Sequence, residues 1–128
     1  TYQPGNELNL TKPSRFLSSE GWAKKPSDEG TLLSGQGGLY FVLPKQAANP
    51  DQLTVHARIN SPQAGALLKV ALGHDFTTTV KLAKAGINEI RLSLPGDSLT
   101  ADPKHPNFLA LSAPTPINVQ SVRLTVAQ

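Results

Sequence analysis

The chain holds no cysteine and no methionine among its 128 residues. Without cysteine it forms no disulfide and no thiolate metal site. A chain of this length buries a core without such staples, and it fits one domain, residues 1–128. The missing methionine, with Thr1 first, points to a segment cut from a longer protein. Charge is scarce at 16% of residues, and the net charge is only +3. The longest basic run is Lys24-Lys25, so the density that a nucleic-acid surface needs is lacking and no nucleic-acid partner is expected. No stretch approaches the ~20 apolar residues of a membrane span. No window places capped apolar residues at helical spacing, so no helix is expected.

Turn formers and alternating runs are what the chain has. Leu53, Val55, Ala57 and Ile59 alternate with Thr54, His56, Arg58 and Asn60. A period of two with one apolar face is an antiparallel strand lying on a core. The same pattern places Val55 inside and His56 outside. Leu68, Val70 and Leu72 repeat it around Lys69 and Ala71. Asn88, Ile90, Leu92 and Leu94 repeat it around Glu89, Arg91 and Ser93, so that Leu92 points inward and Arg91 outward. Val122, Leu124 and Val126 face inward in the last run. Glu7–Leu10 reads as an edge strand, and Thr31–Leu33 and Gly38–Leu43 as further short strands. Phe76–Leu82 is rich in threonine and follows Gly73-His74-Asp75, which reads as a hairpin connection. Phe108–Leu111 is another short strand, and Pro114 and Pro116 bracket a turn. About eight strands at this spacing predict an all-β, two-layer antiparallel sandwich of jelly-roll type.

Catalytic chemistry finds little support. A Ser-His-Asp triad has no nucleophile elbow to start from, since Ser34-Gly35 lacks the flanking glycine pattern. His74-Asp75 is the adjacent histidine–carboxylate pair, but a zinc site asks for three protein ligands. A calcium site would draw on Asp28-Glu29, or on Asp97 with Asp102. The nine acids are scattered, and no pair presents itself for glycoside hydrolysis. No catalytic residue, metal site or cofactor motif is therefore assigned. A free-standing hydrolase, relying on two convergent carboxylates or on His56 with His74, is the weakest of the readings.

Sugar binding suits the fold better. A sugar ring stacks its apolar face on an aromatic and bonds its hydroxyls to polar side chains. Trp22 follows Gly21 in a loop where a platform can sit; the competing reading makes it a plug at the end of the core. Tyr40 lies in an apolar strand and is expected in the core. His56, Arg58, Lys69, Lys81 and Arg91 point outward from their strands and, were those strands neighbours, would form a weakly basic face. The competing reading is an ordinary solvated face. The binding candidates are thus Trp22 for stacking, with Arg58, Lys69 and Arg91 for anionic groups.

A family likeness runs through nearly the whole chain. It rests on Tyr2-Gln3-Pro4-Gly5, Glu7–Leu10, Gly21-Trp22, Glu29–Gly35, Leu43-Pro44, Val70–His74 and Gly86–Pro95. These segments, in this order, resemble the accessory β-sandwich domain C-terminal to some bacterial membrane-bound sugar and phosphoglycerol transferases, a domain similar to galactose-binding jelly rolls. Relatives carry a second tryptophan where Leu32 and Leu33 stand here. The resemblance implies a parent inner-membrane enzyme whose catalytic residues lie outside residues 1–128. It also implies a position on the periplasmic face and a glycan or anionic glycolipid as ligand. A purely structural module that packs on its parent and touches no ligand is the rival reading.

Overall fold

The structure, a computed structural model, describes residues 4–44, 50–73 and 76–127. None of these residues is helical, so no helix is long and apolar enough to cross a membrane. The described residues form seven strands in chain order: β1 Glu7–Asn9, β2 Thr31–Phe41, β3 Gln52–Ser61, β4 Ala66–Leu72, β5 Phe76–Leu82, β6 Gly86–Pro95 and β7 Asn107–Ala127. All pairings are antiparallel, in the order β5-β4-β7-β3-β6, with β1 and β2 also on β7.

The two layers share one long strand. The first half of β7 pairs with β4 and with Gly35–Phe41 of β2. Its second half pairs with β3, with Thr31–Leu33 of β2 and with β1. The expected turn at Pro114 and Pro116 is therefore a bend within a continuous strand. The register jumps from Gly35↔Ala113 to Leu33↔Ile117, which leaves residues 114–116 opposite Ser34 alone. Proline has no N–H to donate, and an unpaired bulge is where a strand tolerates it. The expected strands 31–33 and 38–43 fuse in the same way into β2. These fusions bring the count to seven.

The apolar faces meet between the layers. Leu33, Leu39, Phe41, Leu53, Ile59, Leu82, Leu109, Ile117 and Leu124 are fully buried. The alternation in β4 is as read: Ala66, Leu68, Val70 and Leu72 are buried, while Leu67 and Lys69 are exposed. In β3, Val55 is buried and His56 is half-buried on the outer side. Leu92 departs from expectation, because it is only partly buried against the core. It lies on β6, which ends the strand order, so one flank of the strand lacks a neighbour to cover it. Asn88 is buried at the start of that strand and locks the turn before it. Its side chain donates to the Lys84 and Gly86 carbonyls and accepts from the Lys84 N–H.

The N-terminal third is irregular and closes an edge. The Phe16 carbonyl accepts from the Tyr40 N–H, and the Ser18 N–H donates to the Gly38 carbonyl. Gly21 and Ala23 bond Ser34 and Leu32 in the same manner. Residues 16–23 thus cover the flank of β2 that faces away from β7, which removes an exposed strand edge. β4 and β5 form the expected hairpin with Leu72 opposite Phe76; His74 and Asp75 lie outside the described residues, as does Tyr2.

Candidate functional site

Two outer faces carry chemistry, one on each layer. On the first, β2, β7, β4 and β5 lie side by side, and register sorts their outward side chains into rows. Gln36, Ser112, Lys69 and Thr79 form one row. Gly38, Ala110, Ala71 and Thr77 form the next. Tyr40 and Phe108 form the third. A floor of small residues therefore lies between an aromatic pair and a polar row.

Glycine at position 38 makes the aromatic pair possible. A Cβ built there would collide with the Leu109 carbonyl oxygen and stand 2.5 Å from Phe108 Cζ. The Phe108 ring thus lies over the bare backbone of Gly38, as aromatic rings do beside strand glycines. Tyr40 leans on it, with ring centroids 4.7 Å apart and planes tilted by 44°. Tyr40 is 45% exposed, which corrects the expectation that it is core. The apolar run around it hid the alternation, because the outward position two residues earlier is glycine. An open trough of about 390 Å³ borders the pair, lined by Ser18, Ser19, Glu20, Gln36 and Gly37. An aromatic face beside amide, hydroxyl and carboxylate groups is the layout that a sugar ring uses.

Trp22 sits elsewhere. It is half-buried, packs against the core and bridges to Leu33. Its Nε1–H donates to the Gly38 carbonyl at 3.0 Å, the oxygen that the Ser18 N–H also reaches. The indole therefore props the aromatic floor from the edge of β2.

The second face belongs to β1, β7, β3 and β6. Glu7, Arg123, His56 and Arg91 form one row across all four strands. Asn9, Ser121, Arg58 and Glu89 form the next. Arg58 Nη1 stands 3.9 Å from Glu89 Oε1, a loose and exposed pair. An open depression of about 450 Å³ spans both rows. Burial holds the His56 pKa below its ordinary value, and the charges of Arg123 and then Arg91 lower it further.

The four binding candidates thus divide three ways. Arg58 and Arg91 share the second face. Lys69 stands on the first, as does Lys81, so the expected single basic face is two. Trp22 is at neither. Arg123 escaped notice, although the inward alternation of Val122 and Leu124 placed it outward. Among the described residues no three His, Asp or Glu side chains gather as a metal site would require. Asp102 pairs with His105 at 2.8 Å in an exposed loop, and that hydrogen bond holds its carboxyl below the usual range.

No family model matches the chain, and no curated protein does. Solved structures do share its fold. The apo form of BiXyn10A CBM1 aligns with a TM-score of 0.61 at 13% identity, covering 97% of this chain and 99% of that one. A carbohydrate-binding module of Cellvibrio mixtus lichenase 5A, in complex with cellotriose, gives 0.57 at 11%, covering 98% and 99%. The C-terminal CBM6 of LamC, a laminarinase from Zobellia galactanivorans, gives 0.53 at 11%, covering 92% and 99%. The chain is an all-β sandwich with the fold of these carbohydrate-binding modules.

Proposed function

We propose that this chain is a non-catalytic glycan-binding module, with Tyr40 and Phe108 as its stacking platform. The observation that carries the proposal is the exposed Tyr40 ring, held against Phe108 over the glycine floor, with the row of Gln36, Ser112 and Lys69 on the far side of that floor. The likeness in fold to carbohydrate-binding modules supports it. Trp22 contributes by supporting the floor, since its indole N–H is already bonded. Within that reading, the module serves a periplasm-facing membrane glycosyl or phosphoglycerol transferase and holds its glycan or anionic glycolipid near the enzyme. What points to this context is the resemblance of its segment order to the accessory domains of those transferases. Membrane spans encoded upstream of Thr1 in the gene are its expected sign.

The test is an amide NMR titration with neutral gluco-oligosaccharides and with phosphoglycerol-substituted glucans. Shifts should centre on Tyr40, Phe108 and Gln36. One aromatic stack contributes about 1–3 kcal/mol, so affinity should be millimolar to high micromolar, and Tyr40→Ala should remove most of it. Shifts centred on Trp22, with Tyr40 silent, would move the site. Silence at millimolar glycan would favour the rival reading, a structural module that packs on its parent. The packed and hydrogen-bonded Trp22 fits that rival.

A further inference from the structure

We propose that the outer face of β1, β7, β3 and β6 is a separate site for a tetrahedral oxyanion, a sulfate or phosphate ester, gripped by Arg91 and Arg123 above His56. Register is the first ground. Arg123 and Arg91 are the direct cross-strand neighbours of His56 on its two sides. Strands lie about 4.8 Å apart, so the two arginine backbones stand roughly 10 Å apart with the imidazole between them. Two guanidinium forks rooted at that spacing can converge on one oxyanion, each offering paired N–H donors.

Cost is the second ground. Like charges set opposite one another across strands destabilise a sheet. This sheet nevertheless aligns two arginines with a histidine. The neighbouring groups compensate only in part. From β1, Glu7 ends the row beside Arg123. From β6, Glu89 lies opposite Arg58 of β3 and engages it loosely. Neither Arg91 nor Arg123 has an ion pair among the described residues. With three arginines against two glutamates, the depression holds one net positive charge when His56 is neutral and two when it is protonated.

The depressed pKa of His56 then has a use. Burial is the larger cause of that depression and persists with an anion in place, whereas the charges of Arg123 and Arg91 are the part that an anion neutralises. A doubly charged anion beside the ring should therefore raise the His56 pKa, and by linkage protonation of His56 should tighten its binding. Glu7 and Glu89 pull in the same direction as the anion, and Arg58 pulls against it.

The probe is sodium sulfate, which stays doubly charged across the range, titrated into the chain at constant ionic strength and followed by amide and imidazole NMR. Saturable shifts should centre on His56, Arg91 and Arg123, with millimolar affinity at about pH 7.5 and three- to tenfold tighter binding at about pH 5.5. Arg91→Gln and Arg123→Gln should each weaken binding about tenfold, as loss of a charge-assisted fork does. Glu7→Gln should tighten binding, because the row loses a negative charge beside Arg123. Lys69→Gln, on the other face, should change nothing. Glucose sulfate, glucose phosphate and glucuronate, titrated in parallel, distinguish the sources. Either ester binding best supports the site and names the ligand, whereas glucuronate binding best overturns the tetrahedral assignment. No saturation by about 50 mM sulfate, or equal weakening by Lys69→Gln and Arg91→Gln, reduces the face to diffuse charge and overturns the proposal. Tyr40 takes no part in this experiment, so the oxyanion site and the glycan platform stand or fall separately.

Discussion

Gly38→Ala is the sharpest perturbation of the aromatic floor. A single methyl group at this position meets the Leu109 carbonyl oxygen, and it meets the Phe108 ring at 2.5 Å from Cζ and 2.8 Å from Cε1. Real Cβ contacts do not come so close, so the ring must leave or the β2–β7 ladder must open. Overpacking of this kind costs about 1–3 kcal/mol, and loss of the Tyr40–Phe108 contact adds about 0.5–1.5. Alanine recovers about 0.4–1 kcal/mol by stiffening the unfolded chain. The net expectation is a loss of about 0.5–4 kcal/mol, read in denaturant unfolding as a lower midpoint with an unchanged slope. In a thermal melt this corresponds to a drop of about 2–16 °C. Phe108→Ala removes the ring but not the Leu109 carbonyl. In that background Gly38→Ala should cost at least about 0.5 kcal/mol less, the coupling expected of residues in contact. Full additivity, or an unchanged melting temperature for the single variant, would refute the packing account of Gly38. Glycan affinity should fall with the ring whether or not stability does.

Val55→Ala should cost about 1–3 kcal/mol, because Val55 is 2% exposed, and Leu92→Ala should fall short of a buried leucine's usual loss, because its site is half open to solvent; denaturant midpoints compare them. Trp22→Phe keeps an aromatic ring but removes the indole N–H that donates to the Gly38 carbonyl, leaving that oxygen the Ser18 N–H alone, and should cost about 1 kcal/mol in the same assay. His56 binds its proton less readily folded than unfolded. Stability should therefore decline as pH falls below its ordinary pKa of about 6.5. His56→Gln should flatten that decline in melts taken across the range, and an unchanged pH profile would show that another group carries it.

Much of the fold was legible in the residues, and the limits have physical causes. Strands β3 and β4 show their inward faces plainly, because Leu53, Val55 and Ile59 in one and Leu68, Val70 and Leu72 in the other recur in a period of two and are buried, although Thr54, expected outward, is buried as well. β2 does not. Its outward position 38 is glycine, and Val42 and Leu43 are both buried just beyond its end, so Tyr40 looked like core. Pro114 and Pro116 carry the ordinary signature of a turn, and only the pairing of Leu33 with Ile117 reveals a bend within one strand. The basic face failed as a unit because outward direction is a local property, whereas layer membership depends on which strands pair. Lys69 and Arg91 follow the same local rule on opposite sides of the molecule.

The shared strand also sets when the molecule can assemble during synthesis. β7 contacts β1, β2, β3 and β4, and it follows all of them in the chain. Ninety-seven residues separate Asn9, the end of β1, from Asn107, the start of β7. A ribosome adding about 5–20 residues per second leaves β1 without its partner for roughly 5–20 s. Until β7 emerges, the β4–β5 hairpin and the longer-range β3–β6 pair can form, but neither layer has its central strand and the buried faces of both stand open. A nascent chain in that interval exposes apolar strand surface, which is the form that chaperones hold and that aggregation consumes. Closure comes late and joins both layers at once, so a stalled or truncated product lacking β7 should be an open, sticky intermediate rather than half of a sandwich.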